Sequence, residues 1–587
     1  MVKSNSGIKS FIGAHIFGLF GVALLLSYAA FYLLHGSPGM GKLDKITIIL
    51  GACLLISDLF PERIKSSLRS YPLMHTIDRF ISKYGLLFLS FLIAIGFYLR
   101  FNNLGTLSFW VDEITTTYAA IGLLEQGTPV MPSGMPYTRS ILNTGIIAFF
   151  FEIFGISEFS ARSVSVIFGT LMIPLVYMMG AKVANKRVGL LAAVLITFSV
   201  WEIVWAREAR MYAQFQFFYL LTAYLFFLGL DKNNHKALLF SAIAFVCAWY
   251  SHVLALTFLP VAFIYLLLCK REVLKIRYVI SGILIGSGLA LLYLFIMGKN
   301  PFEYIPASAP IWGQKPFYFY ALTPDLRILF ILVVIGIIIS ILLWGFGIFK
   351  NEKHSAYLYL NFFIPFIILS LNVWKAPRYA FYIFPFLVLA ASYAIDLYLI
   401  RKVISEDVCR EISNKIKIKE EYVRNFSFAI LFIMVVLLLM QIAFSVTAFG
   451  ISQKDHGTIH DGITHSNWKK GGDFLKNRFV EGDKIITTLP HAAVYYSRQA
   501  DYYIKQIEHK GIINDEGQLV DRHTGAVILT TYDSFIRVVS KGRGWVIADY
   551  KIDRYYTDPR VRDYIRNNMT FHPEGSDDTI EVYSWNN

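Results

Sequence analysis

A polytopic α-helical membrane protein carrying a separate C-terminal α/β domain is the fold class this sequence predicts, on three observations. Of 587 residues, 56% are apolar and only 16% charged, with a mean hydropathy of +0.51, far outside the soluble globular range. Apolar runs long enough to span a bilayer recur from residue 11 to residue 449. Beyond residue 450 the composition turns polar and no long apolar run remains.

Runs of about 17 to 25 apolar residues read as spans and give roughly thirteen helices, near 11–34, 43–60, 82–101, 162–182, 188–205, 211–230, 237–250, 252–269, 277–297, 326–349, 356–373, 378–400 and 425–449. The first follows Lys3 and Lys9. It is too long for a signal-peptide core and has no convincing small-residue cleavage site, so it is expected to remain.

Lys and Arg gather in alternate loops, as the positive-inside rule requires of the cytoplasmic side. One set holds Arg63, Lys65, Arg69, Arg79 and Lys83, then Lys182, Lys186 and Arg187, then Lys270, Arg271, Lys275 and Arg277, then Lys350 and Lys353, then Arg401 through Arg424. The other set is nearly free of them, with Arg139 in 102–140 and Lys299 and Lys315 in 298–325. The pattern places the N-terminus in the cytoplasm, and Asp112, Glu113 and the tail outside, in a cytoplasmic (inner) membrane. It requires that Ile141–Gly155 not cross, and this stretch reads as a helix in or re-entering the outer interface.

The net charge of +14 is then largely a topology signal, and nucleic-acid binding is not needed to explain it. Cys53, Cys247, Cys269 and Cys409 lie in spans or on the inner side and imply no disulfide or metal framework.

Three regions follow: 1–81, an N-terminal two-helix membrane extension with a cytoplasmic linker; 82–449, the membrane core with external loops 102–161 and 298–325; and 450–587, an external α/β domain. Within the last, Lys484–Thr488, Ala526–Thr531 and Trp545–Asp549 read as buried strands, and Asn467–Phe479 and Pro559–Asn568 as helices.

Phe109-Trp110-Val111-Asp112-Glu113 sets two adjacent carboxylates where the third span ends. Such a pair in an aromatic rim suits a general base for an acceptor hydroxyl or amine, with its neighbour binding a cation or tuning its pKa. It equally suits two solvated acids at the start of a juxtamembrane helix. Arg207-Glu208-Ala209-Arg210-Met211-Tyr212 lies between two apolar spans. Paired arginines there read as an anion site or as a loop pairing with itself.

Lys375-Ala376-Pro377-Arg378-Tyr379 is a second basic-aromatic boundary. Arg139, Arg207, Arg210, Lys375 and Arg378 are outward exceptions to the charge rule, and they are expected to contact a ligand. Together with Tyr137, Tyr212 and Tyr379 they suit a phosphate bearing a lipid or sugar. His252 is either a functional imidazole or a satisfied interface residue, and Phe302–Tyr320 either a lid or an interfacial helix.

At these residues the chain resembles the C-type-fold membrane glycosyltransferases, in particular bacterial and archaeal relatives of the protein O-mannosyltransferases and of the aminoarabinose transferase acting on lipid A. The resemblance rests on Phe109–Glu113, on the run from Phe154-Gly155-Ile156-Ser157-Glu158 through Ala161-Arg162-Ser163, Gly169, Tyr177, Gly189–Ala193 and Arg207–Tyr212, and on Pro377-Arg378-Tyr379 with Pro385. It covers roughly residues 82–400. Many relatives have a His-Pro-Pro-Leu-like element where this chain has Pro136 to Leu142. The resemblance implies a polyprenyl-phosphate-linked sugar donor, Asp112 as base with Glu113 beside it, and Arg210, Tyr212 and Arg378 as donor contacts, with Arg139 taking over a phosphate contact. The acceptor would be a lipid, glycan or protein.

No Gly-rich nucleotide loop is seen and no cofactor is required. A divalent metal on Asp112 or Glu113 is conceivable, yet no His/Cys cluster has ligand spacing in the sequence. Three other readings compete. A transporter or flippase of a lipid-linked or anionic solute should place charges near the bilayer midplane, whereas here most sit at helix ends. An oligosaccharide ligase would move a glycan en bloc, and an assembly protein would need no Asp112.

Overall fold

The computed structural model describes residues 72–270, 353–371, 376–396, 457–458, 463–506 and 511–586, with a few single positions between 329 and 420. The first two expected spans, those near 277–297 and 425–449, nearly all of 326–349, the loop Phe302–Tyr320, most of the Arg401–Arg424 linker and Lys375 lie outside the described residues.

The helical part runs α1 (Pro72–Phe101), α2 (Val111–Gln126), α3 (Ile141–Phe154), α4 (Glu158–Val183), α5 (Lys186–Phe198), α6 (Val200–Trp205), α7 (Tyr212–Asp231), α8 (His235–Ser251), α9 (Phe258–Cys269), α10 (Lys353–Leu371) and α11 (Phe384–Asp396). Among the described residues, four helical stretches are long and apolar enough to cross a membrane: Asp78–Phe101, Glu158–Val183, Tyr212–Asp231 and Pro377–Asp396. The last is 94% buried along its apolar window and the first only 22%. Pro377–Asp396 is therefore a central stave and α1 a peripheral one.

Three expected spans are broken where backbone leaves the helix. The stretch 188–205 divides at Ser199, whose ψ of 125° departs from the helix and whose side chain caps α6 by accepting from the Glu202 N–H. The stretch from 252 begins as a 3-10 turn, Val253–Thr257, with His252 Nδ1 accepting the Leu254 N–H at 3.2 Å. Pro377 likewise opens a 3-10 turn, Pro377–Ile383, ahead of α11. These tight turns lie at one end of the bundle. At the other end Asn185 and Arg187 both donate to the Asp396 carboxylate, at 2.6 Å each, joining α5 to α11.

Gly169 controls how closely α4 meets the segment before α7. A Cβ there would stand 2.4 Å from Ala206 Cβ, well inside contact distance. Only glycine lets the 206–210 turn settle against α4.

The C-terminal part continues with β1 (Gly457–Thr458), β2 (Thr464–His465), α12 (Trp468–Lys476), β3 (Lys484–Thr487), α13 (Pro490–Ser497), β4 (Tyr502–Ile504), β5 (Gly511–Ile513), β6 (Leu519–Asp521), β7 (Val527–Leu529), α14 (Tyr532–Val539), β8 (Gly544–Asp549), α15 (Pro559–Asn568), β9 (Thr570–Phe571) and β10 (Ile580–Trp585). Among the described residues, eight strands form one sheet in the order β5-β6-β7-β4-β3-β8-β10-β9, and β1 pairs with β2. Strands β7, β4, β3 and β8 are parallel, and the outer strands are antiparallel. Parallel strands covered on both faces read as short continuous apolar runs, which is how Lys484–Thr487 and Gly544–Asp549 read as β3 and β8.

This sheet part does not hang free. One apolar cluster contains Phe109, Ile114 and Tyr118 from the segment around α2, Phe151 from α3, and Trp468, Leu475, Ala492, Tyr496 and Ile547 from the sheet part. Burial of that shared face fixes the two parts against each other.

Candidate active site

Asp112 and Glu113 are neighbours in the chain with opposite surroundings, because successive helical residues point about 100° apart. Glu113 is fully buried. Its Oε2 accepts the Trp110 N–H at 2.8 Å and its Oε1 the Ala209 N–H at 2.6 Å. Arg162 donates Nε–H to Oε1 and Nη2–H to Oε2, both at 2.8 Å, and its Nη1 donates to the Leu104 and Leu107 carbonyls. Burial works against the charge, but the Arg162 guanidinium outweighs it and pulls the carboxyl down to about 2. Glu113 thus departs from the expectation that it flanks the base at the reaction centre. Both of its oxygens are occupied, and it acts as the joint between the 104–113 loop, α4 and the 206–210 turn.

Asp112 keeps a third of its side chain exposed, with Oδ2 3.8 Å from Arg378 Nη2. That is too long for a hydrogen bond, so the carboxylate retains lone pairs for another donor. The Arg378 guanidinium lies over the rings of Trp110 and Tyr379, at 5.7 and 5.6 Å. Arg210 braces the same turn from behind: Nη1 donates to the Asp112 carbonyl at 2.8 Å, to Thr116 Oγ1 at 2.6 Å and to the Tyr137 hydroxyl at 3.3 Å. The Nε atoms of Arg210 and Arg378 are both buried without a partner among the described residues. A buried unpaired N–H is costly.

Aromatic rings close the site. Tyr212 packs edge-on to Trp205 at 4.8 Å, and the His252 ring lies 5.2 Å from Phe215, 6.1 Å from Tyr212 and 6.0 Å from Tyr379. Arg139 is exposed on the loop before α3, where its charge acts on Tyr137. Asp112, Tyr137, Arg139, Arg210, Tyr212, His252, Arg378 and Tyr379 are therefore gathered around the Asp112 turn.

Arg207 and Glu208 are not, contrary to expectation. Arg207 Nη1 donates to the Arg100 and Asn102 carbonyls at 3.0 and 2.6 Å, tying off the end of α1. Glu208 is buried, with Oε1 3.1 Å from His465 Nε2, while His465 Nδ1–H donates to the Ser108 carbonyl at 2.7 Å. Sequence reasoning missed His465, and also Tyr496, whose hydroxyl donates to Glu158 Oε1 at 2.6 Å and accepts the Phe109 N–H at 2.7 Å. Both come from the C-terminal part, far along the chain, and no local pattern marks them.

The Glu208–His465 contact makes a pH prediction. Burial disfavours the imidazolium, yet the Glu208 carboxylate outweighs it, so the His465 pKa lies above its ordinary value. Its stabilising effect is complete below the unfolded pKa and lost as pH rises through the raised folded value. Thermal stability of the wild type should therefore fall on the alkaline side, and His465→Gln should flatten that slope. An unchanged slope in the variant would exclude this pair as its source.

Two family models match the sequence: dolichyl-phosphate-mannose-protein mannosyltransferase over residues 139–296 and the Alg9-like mannosyltransferase family over residues 304–469. An uncharacterized protein of Aquifex aeolicus (strain VF5) is 25% identical over 320 residues, 52% of this chain; the match spans 63% of that relative's length, under two thirds of it. The fold is similar to ArnT from Cupriavidus metallidurans bound to undecaprenyl phosphate, with a TM-score of 0.54, 14% identity, and coverage of 85% of this chain and 98% of that one. It is also similar to the oligosaccharyltransferase AglB from Archaeoglobus fulgidus in complex with an inhibitory peptide and a dolichol-phosphate, with a TM-score of 0.51, 12% identity, and coverage of 86% and 75%. Two mannosyltransferase family models, each matching part of the chain, and a shared fold make this chain similar to the membrane glycosyltransferases of the C-type fold.

Proposed function

We propose that this protein moves a sugar from a polyprenyl-phosphate donor to a hydroxyl or amine acceptor on the outer face of the cytoplasmic membrane, with inversion. The observation that carries the reading is the separation of two adjacent acids: Glu113 is closed off by Arg162, and Asp112 stays a third exposed beside Arg378, whose guanidinium lies over Trp110 and Tyr379. In this reading Asp112 takes the acceptor proton as the acceptor heteroatom bonds to the anomeric carbon. The bond from that carbon to phosphate oxygen breaks, and the polyprenyl phosphate leaves with the electron pair. Arg378, Arg210 and Arg139 would offset the charge developing on the phosphate. Tyr212, Tyr379 and His252 would face the sugar. The N-terminus would lie in the cytoplasm and the C-terminal domain outside.

The test is mass spectrometry of envelope lipids, polysaccharide and proteins from cells with and without the chain. Loss of one glycosyl increment with accumulation of its polyprenyl-phosphate sugar supports transfer. Loss of a whole glycan points instead to an en bloc ligase, and unchanged glycans with altered sidedness of a lipid point to a transporter.

Arg378→Ala should weaken binding of undecaprenyl phosphate to the purified protein by about 10- to 100-fold, the size of a lost charge-assisted bond. An unchanged affinity would remove Arg378 from the donor site.

A further inference from the structure

Two clusters of metal-ligating side chains occur among the described residues, and they differ in kind. In the cluster of Glu113, Glu208 and His465, both Glu113 oxygens already accept from Arg162. His491, Asp521 and His523 each offer a ligand atom within 4.8 Å of the others. We propose that His491, Asp521 and His523 bind a divalent transition metal of the zinc class, which pins the β6–β7 turn to α13 where the C-terminal sheet meets α2.

The side chains converge from two elements. His491 sits in the first turn of α13, Asp521 ends β6, and His523 stands in the turn leading to β7. His491 Nε2 and His523 Nδ1 are 2.8 Å apart. Two facing ring nitrogens at that distance hold one proton between them, so a lone pair points into the gap. Asp521 Oδ2 takes the His523 N–H, the Thr524 N–H and the Thr524 hydroxyl. That turn holds the carboxylate rigid, and Oδ1 has no donor among the described residues.

Two imidazoles and a carboxylate form an N,N,O set suited to zinc, nickel or copper. Three protein ligands leave a fourth position for water. Tetrahedral zinc at about 2.0–2.1 Å from nitrogen needs its ligand atoms roughly 3.3 Å apart, so the two rings would part by about 0.5 Å.

Tautomers make the binding step specific. Arg522 Nε–H reaches His523 Nε2 at 3.3 Å, so in the neutral ring the proton is on Nδ1 and is donated to His491. The metal would take Nδ1, the proton would move to Nε2, and the long Arg522 contact would be released. No net proton leaves the site in that exchange.

The site is tied to the first-loop region through backbone. The Tyr118 hydroxyl donates to the His491 carbonyl at 3.1 Å, and the Ser133 N–H donates to the His523 carbonyl at 3.1 Å. A cation here would cross-link elements already touching the segment that begins with Asp112.

Purified full-length protein, stripped with a chelator and dialysed against zinc, is expected to retain one equivalent by elemental analysis. His491→Ala and His523→Ala should each weaken zinc binding by more than the about 10- to 100-fold typical of lost outer-shell partners. Arg522→Ala should bind zinc at least as tightly, because a competing donor is gone. Circular dichroism and gel filtration identify any variant that fails to fold, in which case His523→Gln replaces it. No retained zinc in the wild type, or equal retention in the folded histidine variants, would overturn the site and mark the pair as a hydrogen-bonded contact. The readout is independent of sugar transfer, so its failure leaves the proposed reaction standing.

Discussion

Asp112→Asn is expected to lower turnover by about 10²- to 10⁴-fold, the contribution of a positioned general base, while donor binding changes little. The amide matches the carboxylate in size, but it cannot take the acceptor proton. The loss should therefore appear in kcat and not in affinity for the polyprenyl phosphate. The variant should fold, since the Asp112 side chain is a third exposed and, among the described residues, makes no hydrogen bond, approaching Arg378 at 3.8 Å. The check is a membrane assay with the donor sugar named by the mass-spectrometric comparison. Turnover like that of the wild type would dismiss Asp112 as the base.

The neighbouring acid should fail in a different way. Breaking a buried, hydrogen-bonded ion pair from one side leaves an uncompensated charge and costs about 3–5 kcal/mol. Arg162→Met strands the Glu113 carboxylate, and Glu113→Gln strands the guanidinium that holds the Leu104, Leu107 and Ser108 carbonyls. Either change should lower the thermal midpoint sharply. The double variant Glu113→Gln, Arg162→Met should recover part of the loss, because neither charge then lies buried alone. The pH dependence has a definite sign. Glu113 is depressed to about 2 in the fold, so its stabilisation is complete above the ordinary carboxylate value and lost as pH falls through that range. Thermal unfolding of the wild type and Glu113→Gln from neutral pH downward checks both points. A single variant as stable as the wild type would show that the pair does not hold the loop.

Elements made by local pattern were legible in the sequence. Pro559–Asn568 forms the expected helix residue for residue, helped by Pro559 at its first turn and Asp558 capping it. Lys484–Thr488 and Trp545–Asp549 became central strands because apolar β-branched runs suit a sheet covered on both faces. Among the described residues, the spans expected near 162–182, 211–230, 237–250 and 356–373 lie within a few residues of observed helices, while others are broken at Ser199, His252 and Pro377. Those breaks follow from caps and proline acting on one or two residues, which a window of apolar content averages away.

In the site, residue type alone could not sort the charges. Arg207 and Arg210 share a six-residue motif, yet one ties off the end of α1 and the other braces the Asp112 turn. Composition and order determined by themselves that this chain is a helical membrane protein with a sheet domain, and that its acids and arginines gather at helix ends. Burial of apolar runs and the expulsion of charge from hydrocarbon act locally on every such segment, so they can be read from the chain. Only the tertiary structure decided which acid of an adjacent pair remains available. The partners that choose, Arg162 for Glu113 and His465 for Glu208, lie 49 and 257 residues away. The same holds for His491 and the Asp521–His523 turn. Electrostatic neutralisation depends on distance in space, and distance along the chain does not encode it.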